Sequence, residues 1–227
     1  DGNTSELIPD LELGTRNRGQ TVDIGAYERA GVEPTGGIAY VDLTATGATN
    51  GSTWPDAYTA LQAGVRANEN AQASSSPGDV SEVWIAQGTY TPTHRRDATD
   101  ARSRTFYVDG DNVKAYGGFA GGESTRSARD PDANPVVLSG DVDGDDNPYA
   151  PQSDTDGDGG TPTQTDHVSG SNAYSVVYFD AESSDITGST VVDGVSITAG
   201  FADGSSAPAN AGGGIFCDAG SGESCSP

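Results

Sequence analysis

Long apolar runs are missing from this chain of 227 residues. No segment approaches the roughly 18 apolar residues of a membrane-spanning helix, so membrane insertion is not expected. Positive charge is scarce as well. Eleven basic residues stand against 34 acidic ones, a formal net charge of −23, and lysine occurs once, at Lys114. Such a surface repels nucleic acid and anionic membranes, which removes both from the expected partners, and it attracts divalent cations. An acidic, lysine-poor chain suits either salty surroundings or a secreted surface, and composition leaves the two open. Cysteine is limited to Cys217 and Cys225, with Gly- and Ser-rich residues between them. There is no C-x-x-C, and His94 and His167 are remote in sequence from both cysteines, so neither a zinc site nor a catalytic thiol is expected. The reading is a short-range disulfide, which implies an oxidising compartment. No signal peptide is visible, which fits a mature or excised piece.

What the chain does have is glycine, 32 residues of it, among short segments with strand patterning. At 33% hydrophobic residues this patterning is too regular for wholesale disorder. Residues 1–30 read as a first unit ending in TVDIGAYERA, where Val22, Ile24 and Ala26 alternate with Asp23 and Tyr27. A Pro- and Gly-containing linker spans 31–37, and a second unit occupies 38–227. Its one helical pattern is STWPDAYTALQAGVRANEN. Thr53 is the expected N-cap, Pro55 and Asp56 lie in the expected first turn, and Tyr58, Leu61 and Val65 form a narrow apolar stripe. Short strands are expected at 38–43, 82–86, 104–108, 113–119, 135–140, 173–179, 190–198 and 213–216. Val176, Val195 and Ile215 recur at intervals of 19 and 20 residues, as stacked coils of roughly 20–25 residues require. A sandwich also has many short strands. The lack of Asn-Gly hairpin turns favours parallel coils.

The ordered segments YVDLTATGATNGSTWPDAYTALQAGV, EVWIAQGTYTPT, VKAYGGFAGGESTRSARDPDANPVVLSGD and VVDGVSITAG…GGGIF carry a resemblance. Over about residues 38–216 they resemble secreted right-handed parallel β-helix proteins of the polymorphic-outer-membrane-protein-like and pectate-lyase-like group. The resemblance implies an all-β fold, a right-handed parallel β-helix with an N-terminal capping α-helix that covers the first coil. The family's GGxI element is matched by Gly213, Gly214 and Ile215, while its F-x-x-N element has no counterpart. In this family a segment like IPDLELGTRNRGQTVDIGAYE resembles the last coil, yet here it precedes the first. Two explanations stay open: a window cut from a longer tandem protein, or a subunit whose leading segment completes a neighbour. The expected partner is therefore another copy of the chain, joined head to tail by strand complementation into a filament, with Val22, Ile24, Ala26 and Tyr27 at the contact. Surface carbohydrate is a further expected partner of such an extracellular, adhesin-like component.

The strongest local chemical signal is acidic. DTDGDGG sets Asp154, Asp156 and Asp158 at alternate positions ahead of Gly159, a spacing in which carboxylates converge on one cation. Thr165 stands where an EF-hand has its bidentate Glu, so the loop is not an EF-hand. DVDGDDN offers Asp141, Asp143 and Asp145 as a poorer match, with Asp146 at the Gly position. Calcium, in a structural role within the acidic insert 141–166, is the expected cofactor; the alternative is a solvated acidic loop. An enzyme of the polysaccharide-cleaving kind would need convergent carboxylates. Asp180, Asp185 and Asp193 with Arg102 or Arg104 are the only candidates and no spacing singles them out, so no catalytic residue is expected. Trp54, Trp84, Tyr90 and Tyr116 read as packing residues, with a carbohydrate-binding strip as the alternative. Arg16 and Arg18 form a small basic patch suited to an acidic neighbour or simply an exposed turn.

Overall fold

The structure, a computed structural model, describes residues 17–18, 21–22, 37–74, 80–146, 170–182, 184–220 and 223–227. The chain divides into two units, Asp1–Val32 and Glu33–Pro227. In the first, β1 (Asn17–Arg18) and β2 (Thr21–Val22) pair antiparallel, with Asn17 opposite Val22.

Apolar residues at every second position build the second unit. Its elements are β3 (Ile38–Val41), α1 (Leu61–Ser74), β4 (Glu82–Ala86), β5 (Gly88–Tyr90), β6 (His94–Arg95), β7 (Arg104–Val108), β8 (Lys114–Phe119), β9 (Val136–Ser139), β10 (Val177–Ala181), β11 (Val191–Asp193), β12 (Ser196–Thr198) and β13 (Ile215–Ala219). They form three sheets. The first has the order β11-β8-β4-β3 and the second β12-β9-β5, both parallel. The third, β13-β10-β7-β6, is mixed, because β6 joins β7 antiparallel.

Register aligns the core into rows. Ala39, Val83, Ala115 and Val192 face one another in the first sheet, and Tyr90, Leu138 and Ile197 in the second. In the third, Phe106, Val177 and Ile215 make one row, and Val108, Phe179 and Cys217 another. Apart from Ala39, which packs with Ala67, Ala71 and Val80, the buried members of these rows join one apolar cluster with Leu61 and Val65 of α1. The opposite face of the first sheet carries a second cluster, in which Trp84 stacks on Phe119 at 4.7 Å and Tyr40 meets Trp54 edge-on.

These findings correct the expected fold class. The described residues form several parallel and mixed sheets around a single α-helix and no closed solenoid, so the architecture is a small α/β arrangement and not an all-β right-handed parallel β-helix with a capping helix. Strand periodicity reports which face of a segment is buried, but not how the segments connect. Here the connections are uneven: only Gln87 parts β4 from β5, whereas 120–135 part β8 from β9. A regular coil needs equal turns.

The helix also begins later than its sequence pattern predicts. Thr53 and Asp56 do bond to each other, Asp56 N donating to Thr53 Oγ1 and Thr53 Oγ1 to Asp56 Oδ2, but they close a turn. Tyr58 then lies extended beside β3, its N–H donating to Tyr40 O while Asp42 N donates to Tyr58 O. A residue committed to a strand-like bridge cannot start a helix, so α1 begins at Leu61. Gly64 lets α1 approach the first sheet: a Cβ there would lie 2.6 Å from Val41 Cγ2 and 2.9 Å from Val83 Cγ1. The expected strand at 190–198 is two, β11 and β12, parted at Gly194 with φ +71°.

Candidate functional site

An acidic turn after β9 and the outer edges of the three sheets are the features of the second unit that bear on the expected metal and assembly roles.

The acidic turn starts where Asp141 leaves β9 and forms a bridge with Asn172. Its carboxylate organises the turn. Asp141 Oδ1 accepts from Gly144 N at 2.7 Å and from Asp145 N at 3.2 Å, and Oδ2 accepts from Asp146 N at 3.2 Å. That wrapping brings one carboxylate oxygen each of Asp141, Asp145 and Asp146 within 4.8 Å of one another. Asp143, beside Asp145, accepts from Ser171 N at 2.9 Å, and this bond is the main reason its carboxyl sits below the usual range. The Asp145 carboxyl is raised, first by desolvation and then by the charge of Asp143. A carboxyl raised by the charge of neighbouring carboxylates is a setting that a cation relieves. Asn172, 1% exposed, donates Nδ2 to Asp146 Oδ2 at 2.7 Å and to Ala199 O at 3.1 Å. Its Oδ1 has no hydrogen-bond partner among the described residues. The donor set is all oxygen, which suits a hard cation such as calcium.

Among the metal ligands expected from sequence, Asp141 and Asp145 fall in one carboxylate group with Asp146, and Asp143 lies beside Asp145 while also accepting from Ser171 N. Asp154, Asp156 and Asp158 lie outside the described residues. Asp146 was missed because a D-x-D-x-D-G template reserves its position for glycine. In the assembly set, the Val22 backbone pairs in the β1–β2 hairpin, and Ile24, Ala26 and Tyr27 lie outside the described residues. Cys217 and Cys225 are joined by a disulfide with Cα atoms 5.9 Å apart. The bond fastens β13 to the segment at Ile186, which bridges Cys225.

The carboxylates considered for catalysis do not converge. Asp180 accepts from the Tyr107 hydroxyl, Asp185 from Ser224 N and Oγ, and Asp193 pairs with Arg129. Arg102 is committed to Asn172 O, Phe201 O and Asp203.

Among the described residues, the sheets end on one side at β11, β12 and β13, the last strand of each sheet in chain order, and on the other at β3, β5 and β6. The core rows reach β11, β12 and β13 and become exposed there. Phe106 and Val177 are 3% and 2% exposed, but Ile215 in the same row is 51% exposed. Val192 and Ile197 are likewise only partly buried against the core. At the other end of the first sheet, β3 is covered by the Tyr58 bridge and by α1, and Ala39 and Val41 are fully buried. No described family, no curated protein and no solved structure matches the chain.

Proposed function

We propose that this chain is a structural component of an extracellular or cell-surface assembly, built by strand addition at the β11, β12 and β13 edges and stiffened by calcium. The observation that carries the reading is the row Phe106, Val177 and Ile215, which is buried for two strands and open at the third. A strand laid against β13 covers Ile215 and pairs the backbone groups that β13 turns away from β10. We assign the donor to the alternating segment 21–28 of another copy, which places Val22, Ile24 and Ala26 on one face. A contact of this kind joins unlike surfaces, so it propagates unless rotation closes a ring. The Cys217–Cys225 disulfide supports an oxidising compartment, and the net charge of −23 supports a solvated exterior. Calcium held by Asp141, Asp145 and Asp146 draws the turn after β9 together, and Asn172 relays that order to Ala199, next to β12.

Sedimentation velocity tests the reading. The parent chain sediments as concentration-dependent oligomers, and both Ile215→Asp and deletion of residues 1–30 reduce it to a single slow species. Undiminished assembly in both variants would overturn the assignment. In the metal arm, Asp141→Asn combined with Asp145→Asn abolishes the gain in melting temperature that added calcium gives the parent.

A further inference from the structure

A cavity of about 310 Å³ lies between the β6–β7 hairpin and the segments around Tyr174 and Pro208. It sits at the small end of the range of ligand pockets, about 300–1,000 Å³. Arg96, Arg102, Arg104, Tyr174, Tyr178 and Pro208 are among its walls. We propose that it binds a small organic carboxylate.

Charge accounting makes the cavity unusual for this molecule. Acidic residues outnumber basic ones 34 to 11, so an arginine here has many carboxylates to choose from. Arg66, Arg102, Arg126 and Arg129 are each ion-paired. Among the described residues, Arg95, Arg96, Arg104 and Lys114 stand outside these ion pairs; Arg95 Nη1 donates to Ala98 O at 3.2 Å, and Arg96 and Arg104 both line this one cavity. Asp97 and Asp100 line the cavity too, and each has one carboxylate oxygen engaged within its own turn. Asp97 Oδ1 accepts from Thr99 N at 2.8 Å and Thr99 Oγ1 at 2.7 Å, and Asp100 Oδ1 accepts from Arg102 N at 2.9 Å.

The two arginines are held in different ways. The Arg96 guanidinium lies 3.7 Å from the centroid of the Tyr178 ring. Stacking occupies the face of a guanidinium and leaves its in-plane N–H groups available. Arg104 Nη1 has only a long contact, 3.5 Å, with Val142 O. A carboxylate can take two parallel N–H···O bonds from such a forked donor, and an organic carboxylate adds a body that the rest of the wall can cover. The rest of the wall suits an organic body. Ala207, Pro208 and Ala209 supply an apolar surface. Thr105 Oγ1 and Ser175 Oγ already donate to Val176 O and Ala211 O, so their lone pairs remain to accept from ligand hydroxyls. Arg102, spent on Asp203 and two carbonyls, holds the wall together while its guanidinium lies 4.3 Å from the Tyr174 ring centroid.

The test is isothermal titration of the full chain at fixed ionic strength. Sodium glucuronate probes a hydroxylated carboxylate and sodium benzoate an apolar one, with sodium sulfate and glucose as controls. Saturable binding of either carboxylate is expected, and which of the two binds tighter assigns the organic body. Arg96→Gln and Arg104→Gln each weaken it about tenfold or more, the scale of a lost charge-assisted contact. Arg96→Lys, which keeps the charge and loses the fork, falls between, and Arg126→Gln, outside the cavity, binds as the parent does. Circular dichroism checks that each variant is folded. Absence of saturable carboxylate binding, sulfate binding as tightly as the carboxylates, or unchanged affinity in folded Arg96→Gln and Arg104→Gln would each overturn the proposal.

Discussion

Asp111 is a single side chain that gathers four donors from one distant turn. It accepts from Thr187 N and Oγ1, Ser189 Oγ and Thr190 Oγ1, all between 2.9 and 3.0 Å. Burial alone would raise its carboxyl, but the N–H groups of Thr187 and Asn112 and the hydroxyls outweigh it and hold the carboxyl far below the usual range. A carboxyl depressed in the folded state contributes stability above its unfolded value, near 4, and loses it as pH falls. Asp111→Asn is therefore expected to cost about 1 kcal/mol in urea unfolding at pH 7, a figure kept small by solvent screening, and progressively less below about pH 4. Glu69 behaves in the opposite sense. Burial raises it to about 7, against the pull of the Asp109 N–H and of Arg66. The folded state then holds a proton that the unfolded state has released, so this residue lowers stability as pH rises from about 4.5 to about 7. Glu69→Gln is expected to flatten that slope, leaving acid stability near the parent's and raising alkaline stability, measured by melting temperature at pH 4.5 and pH 8. Neither residue is legible in the sequence. Asp111 finds its partners 76 to 79 positions away, and Glu69 bonds Asp109 N across 40.

At the scale of elements, alternation located most of the strands. EVWIA, RTFYV, KAYGGF and VVLS are β4, β7, β8 and β9, because each presents apolar residues to one face. Capping chemistry was misleading in its place: Thr53 and Asp56 have the side chains of a helix start and form a turn, since Tyr58 pairs with β3. Periodicity could not disclose either fact, because the competing bond comes from another element. Nor could it reveal why α1 carries Gly64, a residue that helix propensity disfavours. Propensity alone makes Gly64→Ala stabilising by about 1 kcal/mol. The added methyl, however, meets the stiff Val41 and Val83 side chains at 2.6 and 2.9 Å, and overpacking of this kind costs about 1–3 kcal/mol. The expected net result in chemical denaturation is a loss of about 1 kcal/mol; a gain would show that α1 can shift away from the sheet without cost.

For the whole molecule, the sequence conveyed charge and the crowd of short parallel strands, but not the overall architecture. A recurrence of 19 and 20 residues suggested even coils, whereas the connections between sheets are unequal and the third sheet takes an antiparallel strand. The acidic turn shows the same limit. Its template reserved the position of Asp146 for glycine, whereas the folded turn sets Asp146 in one carboxylate group with Asp141 and Asp145. Open strand edges and exposed core rows are properties of the folded chain, and no local pattern marks them. They also carry the central claim, assembly by strand addition at β11, β12 and β13. Negative-stain electron microscopy of the purified chain, in calcium and after chelation, tests it most directly, with Ile215→Asp imaged beside the parent. The account predicts unbranched filaments in calcium, their shortening or loss on chelation, and separate particles from Ile215→Asp. Separate particles from the parent in both conditions, or filaments from Ile215→Asp, would contradict it.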